Sequence, residues 1–453
     1  MSKSRVVPLG VFVCYVFMCT LALAADQKSP TKLSDLPAEA QQAISAALAR
    51  KAGGIQDFTL TASDGANGDA FGVSVAIDGN TVVVGSIYGD QSEGVAYVFI
   101  KPTSGWTGMT QTAELTASDA QPEDFFGGSV AISGNTIVVG ARGATVNGNA
   151  YQGAAYVFVM PAKGWTNTTQ TAKLTASDGA SGANFGLAAS INGNTVAVGA
   201  PFNDGDGPGT AYLFVMPSSG WTDMTQTAEL TASDGADYDD FGGSVSVGGN
   251  VVLVGAYEDS CSCNAGPGSA YIFAEPASGW SGKMTETAKL TASDGAISDT
   301  FGSSVSISGN TAVVGAENHT DGKGAVYVFV EPTDGWVNMT QTAELTDNDS
   351  RQSCFGNSVS IAGDVILTGA QCSNGFTGAA YVFVKPAHGW QNSSQSTLRL
   401  SIPFTHETDL FGCSAAISGT TGVVGACRAP ASLPCKGGEC QAGPGEAFVF
   451  TEK

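Results

Sequence analysis

Two series of aspartates recur at fixed places along this chain. One is Asp64, Asp119, Asp178, Asp234, Asp294 and Asp349; the other, Asp69, Asp124, Asp239, Asp299 and Asp409, stands two residues before a Phe-Gly pair. A ring of carboxylates offers hard oxygen ligands to a divalent cation. An aspartate in a turn more commonly bonds its own backbone, and that is the expectation here. The run Asn203, Asp204, Gly205, Asp206 is the weak metal candidate; it lacks the full ligand spacing of a calcium loop. His319, His388 and His406 fall in separate stretches and the cysteines lack paired C-x2-C spacing, so no zinc site is read. No G-x-S-x-G elbow or phosphate loop occurs, and no histidine sits in a nucleophile context. The chain is therefore expected not to be an enzyme, with no cofactor beyond weak, diffuse binding of divalent cations.

Six tryptophans, Trp106, Trp165, Trp221, Trp280, Trp336 and Trp390, share one repeated position. Exposed, they would stack on sugar rings; the expectation is that each covers its own hairpin or fills a gap between repeats. Of ten cysteines, eight lie in the second half, an even number that makes disulfides the default in an exported chain. Cys354 precedes one strand signal and Cys372 follows the next, which makes them neighbours in a hairpin and predicts a bridge. Cys413 and Cys427 hold similar ends in the last repeat. Cys435 and Cys440 share a long loop. Cys261 and Cys263 stay open, because a Cys-x-Cys bridge is strained.

The elements that must position these residues follow from a repeat. Leu60, Leu115, Leu174, Leu230, Leu290, Leu345 and Leu400 open seven copies of one sentence, LTASDGA…FG-x-SV…VVVGA…AAYVFV…GW…MTQTAE. Such a period means a stacked or circular array. The second copy shows four strand signals, at residues 126–132, 136–140, 154–159 and 171–175, parted by Gly, Asn and Pro. Four antiparallel strands without helix patterns make a propeller blade. The last copy stops after its third strand, and Asp57–Thr61 matches the fourth strand of the others. The prediction is an all-β, seven-bladed propeller over residues 55–453, with 3+1 closure by the N-terminal strand. The phenylalanines of the FG pairs, Phe71, Phe126, Phe185, Phe241, Phe301, Phe355 and Phe411, are expected to pack blades together, each ring worth roughly 1.5–3 kcal/mol on burial.

The words FG…VVGA…YVF resemble the FG-GAP repeat of the integrin alpha-subunit propeller, and more closely the secreted bacterial proteins made almost wholly of such repeats. The resemblance runs from Ile55 to Lys453. It implies the propeller fold and a partner-binding loop face, and leaves the ligand open. The integrin loops carry D-x-D-x-DG calcium patterns between strands one and two. Here those links are short turns such as Asp78-Gly79-Asn80, which have too few oxygens.

Residues 1–24 read as a cleaved signal peptide: Lys3 and Arg5, an apolar stretch, then Ala22-Leu23-Ala24. Residues 25–54 read as a short helical segment and linker, with Leu36, Ala40, Ile44 and Leu48 as one apolar stripe. The chain is thus expected to be secreted or periplasmic and not inserted in a membrane. A net charge of −22 excludes nucleic acid and anionic membranes as partners. The links between strands two and three differ most among copies, which marks them as the recognition face. The expected function is a monomeric recognition or adhesion module for protein or glycan. A polysaccharide-active enzyme with a pocket at the channel mouth, or a structural surface component, are the alternatives.

Overall fold

The computed structural model describes residues 56–89, 93–203, 207–257, 266–348, 351–402, 408–429 and 443–451. The expected leader and helical segment, and Asp204, Asp206, Cys261, Cys263, Cys435 and Cys440, lie outside the described residues. No described helix is long and apolar enough to cross a membrane.

The chain forms seven sheets, each an antiparallel meander of strands A to D. Blade 1 takes its first three strands from Phe71–Asp78, Thr81–Ser86 and Val95–Ile100, and its fourth from Ala113–Thr116. Blades 2 to 6 repeat that order, with first strands at Phe126–Ser133, Ala189–Asn192, Ser244–Gly248, Phe301–Ser308 and Phe355–Ala362. Blade 7 begins at Phe411–Ser418 and has Glu446–Thr451 as its third strand. Gln56–Thr61 is its fourth, antiparallel to the third, with Phe58 opposite Val449 and Leu60 opposite Ala447. A strand from the start of the propeller thereby completes the sheet at its end, so that the third strand Glu446–Thr451 is not left as an unpaired edge.

The core lies between blades. Each hydrophobic cluster joins strands of one blade to the next, as Val98 and Leu115 of blade 1 meet Phe126 and Tyr156 of blade 2. All seven phenylalanines are fully buried. Each packs on two rings of its own third strand; Phe126 lies 5.6 Å from Tyr156 and 6.0 Å from Phe158, edge to face. The six tryptophans are buried in the same clusters, the most exposed at 6%, so none is a sugar platform.

Polar bonds repeat the seam. A first-strand serine donates to the glycine carbonyl of the next FG pair: Ser74 to Gly127, Ser129 to Gly186, Ser244 to Gly302 and, across the closure, Ser414 to Gly72 at 2.7 Å. Gly85 faces Gly127 so closely that a β-carbon there would strike the Gly127 carbonyl. The word VVGA is thus fixed by backbone meeting backbone.

Blades 5 and 6 have the expected four strands, and the other five carry a fifth. The hairpin between strands C and D reaches back and adds a short parallel strand to the preceding blade. Thr168–Thr169 of blade 2 pairs with Leu115 and Thr116, and Met109–Thr110 of blade 1 covers Leu60 and Thr61 of blade 7. Gln111 locks this clasp: its Oε1 accepts from the Ser63 amide at 3.0 Å and its Nε2 donates to the Ser63 hydroxyl at 2.9 Å. Gln170 and Ser118, Gln226 and Ser177, and Gln341 and Ser293 repeat the exchange. Asn167, Asn338 and Asn392, which read as glycosylation sequons, accept from backbone amides of the preceding blade.

Cys354 and Cys372 form a disulfide with Cα atoms 5.4 Å apart, as the hairpin geometry predicts. Cys413 and Cys427, expected to mirror it, are thiols. Their register differs: Cys354 stands one residue before its FG phenylalanine, whereas Cys413 stands two after. Cys413 instead holds the place of Asn357. Its Sγ accepts from the Cys427 amide at 3.2 Å, as Asn357 Oδ1 does from Gln371 at 3.3 Å. Burial and the adjacent Cys427 push the Cys413 thiol well above its usual range.

Candidate functional site

The links between blades and the loops joining strands B and C share one face, knitted by backbone bonds such as Tyr88 to Asp69, Gly143 to Asp124 and Asn318 to Asp299. The A–B turns and C–D hairpins share the other, where Lys101 bonds Asn80. The first face differs from the second in two ways. All described non-glycine residues in left-handed backbone lie on it, among them Phe125, Tyr151, Thr320, Asp321 and Phe376. It also carries every exposed aromatic among the described residues: Tyr88, Tyr151, Tyr238 and Phe376, with Ile297 beside them at 75% exposure. Tyr88 packs edge to face on Phe125, Arg142 lies 4.8 Å over that ring, and Tyr151 donates to Glu123 at 2.9 Å. These side chains form one mixed aromatic and charged patch across blades 1 and 2.

Nine of the eleven recurring aspartates have assignments; Asp349 lies outside the described residues. The second series closes turns: Asp69, Asp124, Asp239 and Asp299 each accept the amide three residues earlier, at 2.6–2.9 Å. Burial, the largest influence, raises the carboxyls of Asp69, Asp124 and Asp239. The first series serves buried tyrosines of strand C. Tyr97, Tyr156, Tyr212, Tyr271 and Tyr327 donate to Asp64, Asp119, Asp178, Asp234 and Asp294, all within 3.1 Å. A buried phenol must have a partner, and blade 7 shows the rule by exception: Phe448 replaces the tyrosine, and Phe404 stands in sequence where the aspartate would be.

Opposite each tyrosine, strand D supplies one residue that sets the local charge. Lys173 and Lys289 reach Asp119 and Asp234 at 2.6 and 2.7 Å and lie over Tyr156 and Tyr271. Burial works to raise Asp119 and Asp234, but the bonds from these lysines outweigh it and hold both carboxyls below the usual range. Glu229 pairs with Lys283 at 2.8 Å. In blade 5 the residue opposite Tyr327 is Glu344. Burial, then the Asp294 charge, raises Glu344, against a lowering by His319.

His319 is the third residue of the blade 5 B–C loop. The same loop position is Asn203 in blade 3 and Ser373 in blade 6. Asn203, the described member of the weak metal candidate, is buried; its Nδ2 donates to the Tyr212 hydroxyl at 2.8 Å, and its Oδ1 has no hydrogen-bond partner among the described residues. His319 Nδ1 lies 2.8 Å from Asp299 Oδ2 and 3.4 Å from the Tyr327 hydroxyl; Nε2 lies 3.8 Å from Asp294 Oδ2. The ring is 13% exposed and Asp299 7%, while Asp294 is open to solvent at 42%. One ligand atom each of Asp294, His319 and Glu344 lies within 4.8 Å of the others. Asp294 and His319 of this group line a cleft of about 560 Å³, with Ile297, Asp299, Asp321 and Gln352; Glu344 is not part of its wall. An Asp–His pair poised for nucleophilic catalysis would present a hydroxyl or thiol at Nε2. Here the neighbour is the Asp294 carboxylate.

Reading the histidines as scattered misses this cluster. Asp294 comes from a link, His319 from a loop and Glu344 from an outer strand. The available signal was the alignment of repeats, since blade 5 alone puts acid, histidine and acid at these three positions.

The sequence profile of a family described as FG-GAP repeat matches residues 56–99, 109–158, 168–214, 224–273, 284–329 and 339–383. No curated protein matches the chain.

Proposed function

Since the chain belongs to the FG-GAP repeat family, we propose that it is an exported, non-catalytic recognition or adhesion module that binds a protein or glycan surface through its B–C loop face. The observation that carries this reading is the sorting of aromatics: the six tryptophans are buried in seams, while Tyr88, Tyr151, Tyr238 and Phe376 stand exposed on one face. Tyrosine and phenylalanine give large contact area at low entropic cost, and exposed rings also stack on sugars. Tyr151, Tyr238 and Phe376 themselves sit in left-handed backbone, a conformation that persists only where the surrounding loop fixes it, and a fixed loop has less ordering cost on binding.

Two further features support export. A disulfide between Cys354 and Cys372 suits an oxidising compartment. The first residues read as a leader, and strong acidity keeps such a protein soluble and off anionic surfaces.

A glycan and surface-protein array, probed with the purified chain, identifies the ligand. The triple variant Tyr88→Ala, Tyr151→Ala, Phe376→Ala should then lose at least about tenfold in affinity, the scale of hot-spot truncation. Val337→Ala and Val384→Ala, exposed in and beside the C–D hairpins on the opposite face, should change nothing. If every interaction survived the triple variant, this reading would be wrong.

A further inference from the structure

We propose that Asp294, His319 and Glu344 bind one divalent transition ion of the zinc class on the loop face of blade 5. The inference stands apart from the recognition reading, since it needs no partner.

The ligand set is one imidazole and two carboxylates converging within 4.8 Å. Imidazole suits zinc and its first-row neighbours; an all-oxygen shell would instead suit magnesium or calcium. Three protein ligands, two of which (Asp294 and His319) line the cleft, leave a fourth position on that side for water or a ligand group.

An independent observation fixes which nitrogen is available. Asp299, almost wholly buried, sits 2.8 Å from His319 Nδ1. A carboxylate on the distal nitrogen of a histidine sets the tautomer, aims the other nitrogen and raises its basicity, the usual support of a metal-bound imidazole. Nε2 is then a lone-pair donor directed at the Asp294 side, 3.8 Å from Oδ2. Tyr327 contributes in the same sense. Its hydroxyl donates to Asp294 Oδ1 at 3.0 Å, which anchors that carboxylate and leaves Oδ2 for an ion.

The other blades serve as internal controls. Where strand D offers Lys173 or Lys289, an ammonium fills the place of a cation beside Asp119 or Asp234. In blade 3, Glu229 is neutralised by Lys283. Blade 1 also sets Asp64 and Glu114 about its tyrosine without an ion pair among the described residues, but there the side-chain amides of Gln111 and Asn167 hold Glu114 and the loop carries no histidine. In blade 5 no described lysine or arginine forms an ion pair with Asp294 or Glu344, and a bound ion supplies the charge that lysine supplies in blades 2 and 4. The site is also distinct in place from a calcium loop between strands A and B, which in this chain is a short turn.

The test is titration of the full chain, stripped with chelator, with zinc chloride by calorimetry. The expected result is one ion per chain, with binding weakened at least about a hundredfold in His319→Ala and in Glu344→Lys. Asp299→Asn should keep the stoichiometry and lower affinity about 10–100-fold, as loss of an outer-shell partner does. His388→Ala, an exposed histidine elsewhere, should bind as the parent does. Cobalt(II) should give visible ligand-field bands with the parent and with Asp299→Asn, and none with His319→Ala. Thermal melts of the metal-free forms identify any variant that fails to fold, and Glu344→Lys, which copies blade 4, keeps the question decidable if His319→Ala is one of them. Zinc bound equally by the parent and His319→Ala, or no stoichiometric zinc at all, would overturn the proposal.

Discussion

In blade 4 the Tyr271 hydroxyl donates to Asp234, and Lys289 lies 2.7 Å from the same carboxylate. In blade 5 Tyr327 and Asp294 keep that geometry, but strand D offers Glu344 and the loop offers His319. The hydrophobic frame is the same in both: Phe241 on Tyr271 at 5.5 Å, Phe301 on Tyr327 at 5.3 Å. Among the described residues the difference lies in charge. One pocket is balanced from within, and the other keeps acid in surplus beside an open cleft. A repeat protein can thus turn a structural pair into a binding group by changing one residue on an outer strand and one in a loop, with no change to its packing.

The comparison can be broken at its shared part first. Tyr271→Ala and Tyr327→Ala remove equally buried rings and should each cost about 3–5 kcal/mol. Thermal and urea melts should give the two variants the same loss; a large inequality would mean that the frames are not equivalent. The next effect should have opposite signs in the two blades. Glu344→Lys supplies the missing cation and should stabilise by up to about 1 kcal/mol, the scale of a partly exposed pair. Lys289→Glu should destabilise by a similar amount, leaving Asp234 and a new carboxylate side by side. Equal signs in paired melts would end the electrostatic account of the two pockets.

Alkaline titration sharpens the same contrast. Burial, with the neighbouring aspartates, pushes the phenols of Tyr97, Tyr156, Tyr212 and Tyr327 far above their usual value of 10. Tyr271 is raised less, to about 12, because Lys289 favours its ionised form. A phenol with a raised folded-state value contributes stability that is whole below pH 10 and is lost as pH rises through the folded value. Stability should therefore fall above pH 10, and tyrosinate absorbance should rise together with loss of circular dichroism, with Tyr271 the first of these five to ionise. Early ionisation of Tyr327 would contradict the charge difference. The smallest effect concerns the turns. Asp239→Asn keeps an acceptor for the Ala236 amide and should cost no more than about 0.5 kcal/mol, whereas Asp299→Asn also alters the partner of His319 and should cost about 1 kcal/mol, read from paired melts.

Most of the architecture was legible because it is written seven times. Seven FG pairs and seven opening leucines count the blades, and the match between Asp57–Thr61 and the AELT word anticipates the strand that pairs with Glu446–Thr451. The parallel fifth strand was not legible. It is two residues long in most blades, too short for an alternating pattern, and its partner lies one repeat back. The Cys354–Cys372 bridge followed from strand ends, while Cys413 missed its mate by a register difference that spacing does not display. Nor does sequence order show that Tyr327, Asp294, His319 and Glu344 meet. Tyr327 reads as a core residue and Glu344 as part of a constant word, and the contact exists only because strand D folds back beside strand C. The tryptophans were read correctly for a general reason: a large apolar ring repeated at one place in every unit is a seam.

The fourth strand of blade 7 also sets a schedule. In a chain made from its N-terminus, Gln56–Thr61 is synthesised before every other described strand and its antiparallel partner Glu446–Thr451 after them. Every other blade can assemble from neighbouring segments, while this one joins residues almost four hundred positions apart, the slowest kind of contact to form. Until Glu446–Thr451 is made, the strand partner of Leu60 and Thr61 is the Met109–Thr110 clasp, and their other edge is unpaired. Assembly of the ring is therefore gated by its final strand, and the period before that step is when two copies of the chain can exchange closing strands.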